Sequence, residues 1–390
     1  MKETAIRPIF SEQEAIQTIV SNTLEKGGSF SLWRKPVSDE KVLLICTGGT
    51  TDLEEVNLED VKPGFLIAPF LPEQKKIFLT ADAVFRFRNG QLHNENDNES
   101  WLLKKTTEEL SQSKKIKFHY HPSLQTKTVS YAQLVKLSIE KINQGLFEKI
   151  VPSRCEEVRY DNDFDPLKAF HILCERHPQA MVSLISSPAT GTWLGATPEL
   201  LVSIDKQSKF KTHALAGTQP YAESANLKSV AWTQKEIEEQ ALVSRYIINC
   251  FKKIRVREYA EHGPKTVVAG NVMHLKTDYE VDMNEINFPQ LGSVMLKLLH
   301  PTSAVCGMPL DTALGFLKSQ EGYNRELYSG YLGPVNFDEE SHLFVNLRCM
   351  QLHEKSVRLY AGAGVTSDSD PEKEFLETEI KMKGLKTLIS

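Results

Sequence analysis

Ala361-Gly362-Ala363-Gly364, followed shortly by Asp370-Pro371-Glu372-Lys373-Glu374-Phe375-Leu376-Glu377-Thr378-Glu379-Ile380-Lys381, passes from an apolar strand through a glycine-rich bend into a capped helix. Asp370 offers a carboxylate to the first-turn N–H groups, and Pro371 suits the first helical position, where no N–H is needed. Within the helix Glu374, Glu377 and Lys381 stand at i, i+3 and i+7, so two carboxylates and an ammonium share one face. Such a face can hold a hard divalent cation together with a ligand carboxylate. The simpler alternative is a solvated surface carrying a Glu377–Lys381 ion pair of little energetic weight. Gly362 and Gly364 would let backbone N–H groups approach a bound anion, or would merely make a tight bend.

Working outward, Val345-Asn346-Leu347-Arg348-Cys349 reads as part of a strand running from Leu343 to Leu352. An arginine between apolar neighbours needs a bidentate partner, either a ligand anion or a buried structural carboxylate. Lys149-Ile150-Val151-Pro152-Ser153-Arg154 alternates like a strand, placing Lys149, Val151 and Ser153 on one face, with Pro152 marking an edge or bulge. Ser130 with Gln133 opens a helix that ends near Gly145. Thr233 with Glu236 opens another, carrying Ile237, Ala241, Ile248 and Phe251 on or near one stripe. Further strands are expected at Lys41–Cys46, Gly64–Pro69, Lys76–Leu79, Met181–Ser186, Leu200–Ile204, Lys211–Leu215, Val267–Ala269 and Val357–Ala361, with helices near Leu310–Lys318 and Glu372–Lys386. Strands punctuated by helices without strict alternation predict an α+β fold.

Composition narrows the partners. With 46 Lys+Arg against 51 Asp+Glu the net charge of -5 is modest and forms no basic stripe, so no nucleic-acid partner is expected. The longest early aliphatic run, Val42 to Cys46, is far short of a membrane span, and no apolar export segment follows Met1, so a cytoplasmic protein is expected. Six scattered cysteines show no zinc or redox spacing and are expected to be reduced. His119 and His121 form a close pair, read as a solvent-facing strand end rather than a metal site. A polar stretch over 111–117 and a turn at 121–123 mark a seam between an N-terminal part, 1–125, and the region 126–390, within a single structural domain.

The ordered set Lys149-Ile150-Val151-Pro152-Ser153-Arg154, Gly195-Ala196-Thr197-Pro198-Glu199-Leu200, Leu215-Ala216-Gly217-Thr218, His274-Leu275, His300 to Gly307, Asn324 to Gly330, Arg348, the Gly-Ala-Gly loop and the terminal helix resembles the chorismate-utilising enzymes. The resemblance covers roughly residues 125 to 385, and the combination is specific although each piece alone is weak. It implies a large two-sheet β-sandwich flanked by helices, completed by residues 1–125, with a cleft that holds chorismate over Mg2+.

Carried over residue by residue, the resemblance implies Glu239 and Glu377 as direct magnesium ligands, with Glu374 helping through water. Lys381 would lie beside the ring carboxylate. Arg348, Tyr328 and the Gly362 and Gly364 backbone would clamp the enolpyruvyl carboxylate, and His274 and Thr218 would line the ring. Family members that add water carry a lysine where Lys149 stands, whereas those that use ammonia carry glutamine. Only a neutral amine can take a proton from water, so burial or a nearby cation would have to favour that form. Glu199 matches the acid that protonates the departing ring hydroxyl. Ala216 stands where aminodeoxychorismate synthases have a further lysine. Departures from the usual pattern are Pro152, Gln219 and Gln240. The implied activity is isomerisation of chorismate to isochorismate, without an amidotransferase subunit, for menaquinone or siderophore synthesis. A salicylate synthase and a non-catalytic chorismate-binding protein are the alternatives, and oligomeric state is not legible.

Overall fold

The computed structural model describes residues 11–93, 116–122, 129–160, 164–221, 227–269 and 272–389. Most of the seam expected at 111–117, and Ser123 of the following turn, lie outside these residues. Seven α-helices occur among them: α1 (Glu12–Glu25), α2 (Tyr131–Asn143), α3 (Pro166–Arg176), α4 (Gln234–Lys253), α5 (Leu291–Leu299), α6 (Leu310–Gln320) and α7 (Pro371–Lys386). No helix among the described residues is long and apolar enough to cross a membrane.

The expected α+β sandwich is present as two nine-stranded sheets whose registered pairs are all antiparallel. The first orders Gln91–His93, Ala83–Arg88, Lys41–Cys46, Ser29–Arg34, Met181–Ser187, Gly191–Thr197, Cys349–Leu352, Ser356–Gly362 and Ser153–Arg159. The second orders Ala260–Ala269, Val272–Asp282, Lys209–Pro220, Leu200–Ile204, Ser341–Val345, Tyr331–Val335, Gly64–Ala68, Lys76–Thr80 and Thr51–Leu53. Strands from before residue 125 enter both sheets: Ser29–Arg34 pairs with Met181–Ser187, and Gly64–Ala68 with Tyr331–Val335.

Period-two alternation divides the side chains between layers. Val42, Leu44 and Cys46 meet Phe65, Ile67 and Leu79 between the sheets. Their neighbours Leu43 and Ile45 turn to the opposite face and pack with α1 and α3. Leu66 and Ala68 likewise face α2, α4, α5 and α6. The result is four layers, helix–sheet–sheet–helix, because two-faced apolar strands must be covered on both sides.

Several expectations need correction. Leu343–Leu352 is not one strand: Ser341–Val345 belongs to one sheet and Cys349–Leu352 to the other, with Arg348 at φ +47° in the crossover. Lys149–Arg154 is also broken at Pro152, which cannot donate to a ladder. Lys149–Ile150 pairs with Gly307–Met308, while Ser153–Arg159 joins the large sheet. On α4 the buried face is Gln240, Leu242, Val243, Ile247, Cys250 and Phe251, and Ile237 is exposed. His119 and His121 direct Nε2 at the carbonyls of Gly28 and Pro188, each at 2.9 Å, outside any strand.

Candidate active site

Nine of the proposed site residues line one cavity between the sheets: Glu199, Thr218, Glu239, His274, Tyr328, Arg348, Gly362, Gly364 and Lys381. They come from distant segments because the strands carrying them end together. Glu199 lies in the short link between Gly191–Thr197 and Leu200–Ile204, which belong to different sheets. Arg348 lies in the return crossover, and its backbone carbonyl accepts from Ala196 N–H at 3.0 Å.

The other three stand immediately behind the wall. Lys149 is fully buried, with Nζ 3.0 Å from Glu239 Oε1. This contact is ionic rather than a well-aligned hydrogen bond, and the amine has no aligned acceptor among the described residues. Glu377 accepts an ion pair from Lys381 at 2.7 Å, and Lys381 also donates to Gly362 O at 2.9 Å. Glu374 is buried and paired with Lys235.

The chain just after Lys149 is held by a buried brace. Arg325 donates to Val151 O and Val305 O, each at 2.8 Å, while Glu321 takes the Ser153 N–H at 2.8 Å and pairs with Arg325. Both charges of this pair are satisfied, which such a buried pair requires. Tyr131 on α2 adds a hydroxyl that donates to Pro152 O at 3.2 Å and accepts from Ala363 N–H at 3.1 Å. That N–H of the Gly-Ala-Gly loop is therefore already engaged.

Arg348 differs from the paired arginines: among the described residues no carboxylate lies within ion-pair distance. Among the described residues its one side-chain hydrogen bond is from Nη2 to His274 Nε2, 3.4 Å. Gly217 O, 3.0 Å from His274 Nδ1, can only accept, so Nδ1 carries the proton and Nε2 is left to accept from Arg348. Burial, then the cations Arg348 and Lys381, push His274 down to about 3, so it stays neutral. Burial lowers Arg348 from its ordinary value, with Glu377 opposing. A guanidinium in this state gains most from an incoming anion.

The carboxyls are differentiated by environment. Burial pushes Glu199 up to about 7 against the opposing pull of Lys149, Lys381 and the Thr302 hydroxyl. Burial also raises Glu239, but Lys149 and Lys235 outweigh it and the carboxyl remains below its usual range. Glu374 is raised by burial and by Glu377, against Lys235. Two carboxyls of one cavity are thus biased to opposite protonation states.

Glu239, Glu374 and Glu377 are hard oxygen donors suited to a divalent cation such as Mg2+. In this arrangement each is closed by a lysine, and no three ligating side chains converge among the described residues. The donor chemistry therefore fits such an ion, and binding it requires exchange of ammonium contacts. Residues not anticipated include Lys235, Thr302, Tyr131 and Tyr360. Lys235 stands four residues before Glu239, an ordinary helix-surface spacing, and carries no distinguishing signal of its own. Gln240 is buried and donates to Ala214 O and Thr277 Oγ1 at 3.2 and 3.1 Å, a fold-supporting role.

The chain matches the family described as chorismate binding enzyme over residues 68–390. It is 30% identical over 280 residues to the isochorismate synthase DhbC of Bacillus subtilis, a match covering 68% of each chain. It is 26% identical over 265 residues to the isochorismate synthase MenF of Escherichia coli, covering 66% of this chain and 60% of that one. It is also 28% identical over 273 residues to anthranilate synthase component 1 of Saccharolobus solfataricus, covering 67% and 62%. These matched stretches thus span about three fifths to two thirds of the relatives' lengths. In structure, MenF of E. coli superposes with TM-score 0.72 at 22% identity, covering 95% of this chain and 91% of that chain. Anthranilate synthase component I of Streptococcus pneumoniae gives 0.66 at 17%, covering 91% and 89%. The sandwich, the cleft between its sheets and the match across most of the sequence identify this chain as a member of the chorismate-binding enzyme family.

Proposed function

We propose that the protein is an isochorismate synthase, with chorismate as substrate, Mg2+ as cofactor, and no amidotransferase subunit. The observation that carries this reading is the cavity in which Arg348, a guanidinium without a carboxylate partner among the described residues, faces the same space as Glu199, a buried carboxyl biased toward its protonated form. Such a cavity suits a small dianionic ring that must lose a hydroxyl.

Arg348 and Lys381 take the two substrate carboxylates, with Tyr328 and the Gly362 and Gly364 backbone shaping the pocket around the enolpyruvyl group and Thr218 and His274 lining the ring. Lys149, in its neutral form, accepts a proton from water as the oxygen bonds to C2. Both ring double bonds shift, C1=C2 to C1=C6 and C5=C6 to C4=C5, and the C4 hydroxyl departs as water with the proton of Glu199. One water enters and one leaves, so substrate and product are isomers; Lys149 and Glu199 then return to their starting states by proton exchange with solvent. Glu239 and Glu377, with Glu374 behind them, would hold the cation, which would supply positive charge to offset the ring carboxylate. A cation held there would compete with Lys149 for Glu239, which lies 3.0 Å from its Nζ. Residues 1–125 and 126–390 act as one structural domain, located in the cytoplasm, and the product serves menaquinone or siderophore synthesis.

Purified protein incubated with chorismate and magnesium, with and without ammonium, tests this by chromatography of the products. Isochorismate under both conditions supports it. Salicylate with pyruvate, an aminated product, or unchanged chorismate each contradicts it.

A further inference from the structure

A second cavity shares Pro198, Arg348 and Lys381 with the catalytic one and opens past the C-terminal end of α3. Among the described residues its charged lining groups are Arg176, Arg348 and Lys381, with no carboxylate, although the protein as a whole is net acidic. Leu173 and Leu385 supply apolar wall. Arg176 is exposed, donates from Nη1 to Thr387 Oγ1 at 2.9 Å, and has no carboxylate within ion-pair distance among the described residues. Two guanidinium groups without acidic partners therefore lie on the walls of one cavity, Arg176 toward solvent and Arg348 toward the reacting centre. His177, beside Arg176, is pushed down to about 4, first by burial and then by Arg348, Arg176 and Arg34.

We infer that this second cavity is an outer carboxylate subsite, in which Arg176 holds one carboxylate of a small ring dicarboxylate before Arg348 and Lys381 receive it. The inference rests on the chorismate reading for the identity of that dicarboxylate. A like-charged, low-dielectric funnel raises the local concentration of an oppositely charged ligand and quickens its capture, with an effect that salt screens. Arg176 lies on the solvent side of the cavity, away from the reacting centre, so it contributes to capture and binding of the anion and not to the chemical step. Its position in the last turn of α3 also suits the helix dipole, which is the purely structural alternative.

The test is steady-state turnover of chorismate by wild type, Arg176→Gln and Arg176→Glu at low and high potassium chloride. Gln keeps a donor for Thr387. The subsite predicts kcat/KM reduced about threefold in Gln and about tenfold in Glu, kcat unchanged, and a shallower salt dependence in both. Unchanged kcat/KM and salt dependence, or a fall confined to kcat, overturns it. If wild type itself fails to turn chorismate over, the functional reading has failed. Equilibrium dialysis with chorismate then decides the subsite alone: weaker binding by Arg176→Glu supports it, and equal binding overturns it.

Discussion

Lys149 Nζ lies 3.0 Å from Glu239 Oε1, so the proposed base is held by a carboxylate that the proposed metal would claim. Removing one partner of a buried pair strands the other charge, at a cost of about 3–5 kcal/mol. Lys149→Met is expected to abolish turnover, keep chorismate affinity within a few-fold, and lower unfolding stability by about 3 kcal/mol. Adding Glu239→Gln should recover part of the stability and none of the turnover, as measured by urea unfolding beside the product assay. Normal turnover in Lys149→Met would remove the base.

Glu199, raised to about 7 by burial, donates a proton only while protonated. Loss of this proton should make the free enzyme's kcat/KM fall about tenfold per pH unit above about 7. The linked stability has a definite sign. The native carboxyl binds its proton more tightly than the unfolded one, so its contribution is full below the ordinary 4.5 and is lost as pH rises through about 7. The stability difference between wild type and Glu199→Gln should accordingly change across that window, in a pH series of unfolding curves. An activity profile flat to about pH 9 would contradict the assignment.

Arg348 has no carboxylate to lose, so replacing it should disturb the ligand more than the fold. Arg348→Lys keeps the charge and the side-chain demand at φ +47° but not the two-pronged donor geometry. Chorismate binding should weaken about tenfold or more while the melting temperature stays within a few degrees. Calorimetric titration and a thermal melt check both parts.

A Cβ on Gly364 would sit 2.2 Å from Glu239 Oε1 and 3.1 Å from Lys149 Cε. Gly364→Ala must therefore push Glu239 out of place. The magnesium required for half-maximal activity should rise about tenfold, and Glu377→Gln should raise it similarly, because each removes or displaces one proposed ligand. An unchanged magnesium titration in both variants would exclude these carboxylates as ligands.

The parts of the fold legible in sequence are those written by neighbouring residues. Asp370 caps α7 by accepting from Glu372 and Lys373 N–H at 3.0 Å each, and Glu236 accepts from Thr233 N–H at 2.7 Å at the start of α4, both as local spacing requires. Sheet membership was not legible, because pairing such as Gly64–Ala68 with Tyr331–Val335 joins segments far apart in sequence. For the same reason the residues around Arg348 look like one strand although they cross between sheets. The proposed catalytic cluster was legible only as an ordered set of motifs. Lys235, which closes Glu374, and Tyr131, which engages Ala363 N–H, lie on helices whose periodicity marks them as ordinary positions.

Hydration of the chorismate ring can be followed by incubating the protein with chorismate and magnesium in heavy-oxygen water. Mass spectrometry of the early product should show isochorismate carrying one solvent oxygen, at C2, with wild type and none formed by Lys149→Met. A product that carries no solvent oxygen, or one that carries nitrogen instead, would contradict the account.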